Sequence, residues 1–151
     1  MAVKRAFPDT VLGAIERAIG EAERSHAGEI RFALEGALDL GALLRDQSPR
    51  ARAVAAFSNL GVWDTEHNNG VLIYVLLADR DVEIIADRGV MARVGAGELE
   101  ALCRVMESAF REGRFEGGTV QGIRALGEVL ARHFPRQAGE RDELSDRPVI
   151  L

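Results

Sequence analysis

The chain has 151 residues, 47% of them hydrophobic, which is enough for one domain with a substantial core. A formal net charge of −5 argues against a broad nucleic-acid footprint, and a single cysteine excludes both an intramolecular disulfide and a multi-cysteine zinc cluster. The opening MAVKRAFPDT has no apolar run behind its basic residues, and no window has the length needed to cross a bilayer, so a cytoplasmic location is expected.

Asp9 or Thr10 caps a first helix whose apolar positions Val11, Leu12, Ile15, Ile19 and Ala22 recur at helical spacing, with Gly28 as its stop. EIRFALE, residues 29–35, alternates between apolar and charged positions and reads as a half-exposed strand near a sheet edge. Residues 36–47 suggest only one or two turns of helix. Ser48-Pro49 is a helix start, a hydroxyl cap followed by proline at the first helical position, and Ala53, Val54, Phe57 and Leu60 follow as an apolar stripe that Gly61 ends.

The polar loop WDTEHNNG then runs into VLIYVLLA, residues 71–78, apolar at odd and even positions alike, as in a strand buried on both faces. Asp79-Arg80-Asp81 is turn chemistry, and VEIIADRG returns as a second, antiparallel strand. Gly95-Ala96-Gly97 opens a helix with Leu99, Leu102, Cys103, Met106 and Phe110 on one face, closed by Gly113. A last helix carries Val120, Ile123, Leu126, Leu130 and Phe134 and stops at Pro135. Residues 136–151 are mostly polar and aperiodic, so they read as a flexible tail beyond a single domain of residues 1–135. The order α-β-α-β-β-α-α implies an α/β fold, a small mixed β-sheet sandwiched between helices, with the first two strands parallel and the third antiparallel to the second.

These residues resemble the TPM domain, a family of bacterial and thylakoid-lumen proteins. The resemblance runs from about Asp9 to Phe134. It is carried by Gly28-Glu29-Ile30-Arg31-Phe32, by Trp63-Asp64 and Asn69-Gly70-Val71-Leu72-Ile73, and by Phe110-Arg111-Glu112-Gly113-Arg114-Phe115-Glu116-Gly117-Gly118 with Gly122-Ile123. The resemblance implies three kinds of function: acid phosphatase activity, described for some plant members; calcium binding in loops at one end of the sheet; and an accessory role beside a membrane-associated protein partner. The chain departs from the family pattern at Asn68, where Asp is common, at Asp87-Arg88-Gly89, where Gly-x-Gly is common, and at Arg114, where Asp is common.

A hairpin brings the start of one strand beside the finish of the next, so Trp63, Asp64, Glu66, His67, Asn68 and Asn69 are expected near Asp87 and Arg88. Asp64, Glu66, Asn69 and Asp87 offer oxygen ligands to a hard cation, Ca²⁺ or Mg²⁺. The loop is not an EF-hand, because it lacks the sixth-position glycine and has Val75 where the bidentate acid belongs. The same residues also read as a turn-rich loop bonding its own backbone. Trp63 either walls a ligand site or anchors the loop to the core, and Asp87-Arg88 either hold a metal and a phosphate oxygen or pair with the loop carboxylates. His67 and Arg88 are the candidates for proton transfer and charge neutralisation in a metal-assisted phosphatase, the alternative to a calcium- or partner-binding module. Cys103 reads as inert core, and His26 and His133 read as residues at helix C-termini. No Gly-x-Ser-x-Gly and no His-Glu-x-x-His occurs, which removes the usual serine-hydrolase and zinc-protease readings.

Overall fold

The computed structural model describes residues 2–39, 41, 45–136 and 144–151. In chain order the elements are α1 (Ala2–Ala6), α2 (Asp9–Ala22), β1 (Glu29–Glu35), α3 (Pro49–Asn59), β2 (Gly70–Leu76), a 3₁₀ turn (Leu77–Asp79), β3 (Asp81–Ala86), α4 (Arg88–Met91), α5 (Ala96–Arg111), α6 (Phe115–His133) and β4 (Val149–Ile150). Most of the expected short helix within residues 36–47 lies outside the described residues.

The four strands form one sheet in the order β3-β2-β1-β4. β1 runs parallel to β2, from Glu29 opposite Gly70 to Glu35 opposite Leu76, and β3 runs antiparallel to β2, with Val71 opposite Ala86 and Leu76 opposite Asp81. β2 is therefore central, and its continuous apolar run has a direct cause. Val71, Ile73, Val75 and Leu77 face one core with Ile15 and Ile19 of α2, Met106 and Phe110 of α5, and Ile123 and Leu130 of α6. Leu72, Tyr74 and Leu76 face a second core with Ala53 and Ala56 of α3. Successive strand residues point to opposite faces, and here both faces are dry. Tyr74, the one polar side chain in this run, donates its hydroxyl to Glu35 Oε1 at 2.7 Å, and Arg52 Nε holds the same oxygen at 2.8 Å.

Phe7 is buried after α1, and its ring lies 6.2 Å from those of Phe32 and Phe110 and 5.6 Å from that of Phe115. The α5–α6 corner that brings Phe110 and Phe115 together turns at Gly113, whose φ of 80° is a left-handed conformation that favours glycine.

Four readings of the sequence need correction. Neither Asp9 nor Thr10 caps α2: Pro8 stands at its N-cap without a side-chain bond, and Asp9 is its first helical residue. α2 ends at Ala22, six residues before Gly28, and the chain turns through residues 23–25 to a β-bridge between the buried His26 and Pro135, so His26 does not sit at a helix C-terminus. The second hairpin strand stops at Ala86, because Asp87 caps α4 through a 2.7 Å bond from the Arg88 N–H to its Oδ1. The chain's last residues are not a free tail: Val149–Ile150 pair with Ala33 and Leu34, and the Leu151 N–H donates to the Leu34 carbonyl at 2.8 Å, so β1 is an interior strand. Residues 137–143 lie outside the described ones.

Candidate functional site

The loop before β2 is built from short-range bonds. Gly61, at φ 68°, ends the turn after α3. The Asp64 N–H then donates to the Gly61 carbonyl at 3.0 Å, and Thr65 Oγ1 accepts the Asn69 N–H at 3.1 Å, a side-chain-to-backbone bond that mimics a turn. The loop then packs closely. A Cβ on Gly70 would lie 2.0 Å from the Val62 carbonyl oxygen, and one on Gly89 would lie 2.5 Å from the Asn68 carbonyl oxygen, so both positions require glycine.

The expected meeting of the hairpin's two polar ends is present in the backbone. The Asp87 N–H donates to the Gly70 carbonyl at 2.9 Å, and the Gly89 N–H donates to the Asn68 carbonyl at 2.9 Å. The side chains divide into two sets. Asn69 is 3% exposed and donates Nδ2 to the Ala27 carbonyl at 2.7 Å, while its Oδ1 is buried without a hydrogen-bond partner. Asp87 commits Oδ1 to the α4 cap, and its Oδ2 is likewise buried without a partner. Asp64, Glu66, His67 and Arg88 are exposed, with His67 Nε2 at 3.9 Å from Glu66 Oε2. Trp63 is 54% exposed and tethered through its indole N–H to the Ser58 carbonyl at 3.1 Å, so a large aromatic face stands in solvent beside the loop's carboxylates.

Among the described residues, no three His, Cys, Asp or Glu side chains converge as a metal-binding group. Oxygen ligands are plentiful at this end, and Asn69 Oδ1 and Asp87 Oδ2 have no donor, but they do not form a finished cage; the exposed Asp64 and Glu66 would have to close on an ion. A cleft of about 470 Å³ lies elsewhere, along the outer edge of β3 between Arg50, Ile84, Leu99, Cys103 and Glu107. Its walls also cap that edge: Glu107 Oε2 accepts the Val82 N–H at 3.0 Å, and Arg50 Nη1 donates to the Ile84 carbonyl at 3.1 Å. Burial pushes the Cys103 thiol there up to about 12, away from the thiolate needed for nucleophilic chemistry.

A four-stranded mixed sheet between helical layers, with an acidic, tryptophan-bearing loop leading into its central strand, defines a small layered α/β domain. The chain belongs to the TPM domain family, whose model matches residues 4–129. It is similar to the BA42 protein of the psychrophilic bacterium Bizionia argentinensis, known from an NMR structure, at 32% identity and a TM-score of 0.83, over 94% of this chain and 93% of that one. It shares its fold with the N-terminal domain of a P. gingivalis protein, also solved by NMR, at 22% identity and a TM-score of 0.62, over 81% of this chain and 72% of that one. No curated protein matches the chain.

Sequence reading missed a second polar cluster, on the opposite side of the sheet from β3. Glu23 is 1% exposed, and its Oε2 accepts the Ile30 N–H at 2.7 Å. Burial, then the facing Asp146 carboxyl, holds the Glu23 carboxyl well above the usual carboxylate range. The signal was present: Glu23 follows Ile15 and Ile19 at spacings of four, on the buried stripe of α2.

Proposed function

We propose that this TPM domain is a non-catalytic accessory module that binds a divalent cation, Ca²⁺ or Mg²⁺, at the end of the sheet formed by residues 63–69 and 87–88, and that this loop presents Trp63 to a protein partner. The observation that carries this reading is the pair of buried, donorless oxygens, Asn69 Oδ1 and Asp87 Oδ2, at the end where Asp64 and Glu66 stand exposed. A buried acceptor left without a donor is costly, and an ion bound by oxygens relieves that cost. Oxygen-only ligation favours a hard cation over zinc. Among the described residues, no salt bridge to Asp64 or Asp87 is found.

The metal-assisted phosphatase reading gains no geometric support. His67 Nε2 lies 3.9 Å from its neighbour Glu66, and Arg88 is exposed on the first turn of α4, an arrangement that favours the binding reading over hydrolysis. Titration of the chelator-treated protein with Ca²⁺ and with Mg²⁺, followed by Trp63 fluorescence, tests the proposal. A saturable change with either ion supports it, whereas a flat response to both removes the cation. Steady hydrolysis of an aryl phosphate that is lost in His67→Ala would replace the module reading with the enzymatic one.

A further inference from the structure

The outer edge of β1 is closed by only two paired residues, yet the surface that receives them is built by the rest of the domain. Glu23 at the end of α2 is fixed by its bond to the Ile30 N–H, and Arg136 Nη1 donates to the Glu23 carbonyl at 2.7 Å. Arg31 projects from β1 and donates Nη1 to the Ser145 carbonyl at 2.8 Å and to the Arg147 carbonyl at 3.4 Å, which reads the peptide backbone without regard to side chain. Gly20, Glu23, Arg24, Arg136 and Asp146 enclose a cavity of about 340 Å³ beside it. Further along, Val149 packs with Leu144 against the second core, while Ile150 remains 49% exposed.

The seated segment shows what the groove accepts: an extended peptide with Asp, then Pro two residues on, then two aliphatic residues. Val149 and Leu144 on the second core, a two-residue ladder, the Leu151 N–H bond to Leu34 and Arg31's grip on two carbonyls hold the segment, against the meeting of Asp146 with the buried Glu23 and the negative charge of Glu29 nearby. Among the described residues, Arg31, Arg136 and Arg24 are cations that face this contact. Burial, then the facing Asp146, favours the uncharged form of the Glu23 carboxyl, and Asp146 lies against Gly20 beside it.

We propose that the β1 edge is a strand-acceptor groove for an extended peptide of the pattern Asp-x-Pro-aliphatic-aliphatic, that residues 145–151 fill it as an exchangeable ligand of their own domain, and that a partner protein presenting this pattern enters by displacing them. Main-chain pairing supplies the affinity and the Glu23 and Val149 positions supply the selectivity, as in other strand-addition sites. The groove lies on the opposite edge of the sheet from β3.

The test uses the full chain carrying Val149→Asp, which removes the aliphatic anchor, and a fluorescently labelled peptide of sequence LSDRPVIL. The variant is expected to bind the peptide saturably and at least tenfold more tightly than the intact chain, whose groove is occupied, and Arg31→Ala added to the variant is expected to abolish capture. Dimers between intact and variant chains would instead make a second copy the occupant and overturn the partner-peptide reading. A folded variant that ignores the peptide, or that binds a scrambled peptide equally well, overturns it. If the variant fails to fold, amide exchange in the intact chain decides: the Leu151 amide should exchange at least tenfold faster than the Ile73 amide. Equal protection, showing that the segment leaves only on global unfolding, overturns the proposal.

Discussion

Asn69 and Ala27 are joined by a 2.7 Å bond from the Asn69 Nδ2 to the Ala27 carbonyl, which ties the end of the acidic loop to the start of β1. The Asn69 carbonyl accepts the Glu29 N–H at 3.0 Å, so side chain and backbone of one residue clamp the chain just ahead of β1. Asn69→Ala leaves the Ala27 carbonyl without this donor and should cost about 1–3 kcal/mol of unfolding free energy. Urea denaturation measures it, and a loss within error would show that water replaces the amide.

Gly89 sits under the carbonyls of His67 and Asn68, at 2.8 and 2.5 Å from the place a Cβ would occupy. Gly89→Ala forces the loop away from α4 and should cost about 1–3 kcal/mol, the usual range for overpacking. The same variant should weaken any cation-induced change in Trp63 fluorescence, because the loop and Asp87 move apart.

Ile73 is fully buried at the centre of β2, and Ile73→Ala should cost about 2–5 kcal/mol from lost transfer free energy and the cavity left behind. Chemical denaturation at constant slope is the check. A cost below 1 kcal/mol would mean that the two-sided core collapses readily around the gap.

Asp81 provides a pH signature. Burial, then the adjacent Glu83 and Asp79, raises its carboxyl from the ordinary 3.8 to about 7. A carboxyl raised in the folded state contributes stability that is fully present below pH 3.8 and lost as pH rises through 7. Asp81→Asn, which keeps the neutral form, should therefore gain on the parent between pH 5 and pH 8. Part-exposure screens the effect, so the difference in melting temperature should be no more than about 2–4 °C, the shift one kcal/mol produces in a chain of this size. A difference that shrinks with rising pH would contradict this assignment.

What could be read from the sequence follows the physics of each segment. β2 was legible because seven consecutive buried residues leave no polar alternation to misread. The Ser48-Pro49 helix start was legible because the Ser48 hydroxyl accepts the Ala51 N–H at 3.1 Å, a bond between near neighbours. β4 was not, since two residues carry no period, and they become a strand only because Ala33 and Leu34, 116 residues earlier, pair with Val149 and Ile150. Spacing placed Asn69 and Asp87 at one end of the hairpin, but it could not show that one amide nitrogen and one carboxylate oxygen were already committed, to Ala27 and to the α4 cap. Those partners are set by tertiary contact.

The central claim, a cation bound at residues 63–69 and 87–88, is tested most directly by the melting temperature of the chelator-treated protein with and without millimolar Ca²⁺ or Mg²⁺. A ligand bound only by the folded state, at about 100 times its dissociation constant, adds about 2.7 kcal/mol, and so should raise the midpoint by several degrees. Asp64→Asn and Asp87→Asn should each reduce that rise, and Asp79→Asn, in the exposed turn at the other end of the hairpin, should leave it unchanged. An unmoved midpoint with both ions, or an equal rise in all three variants, would contradict the account.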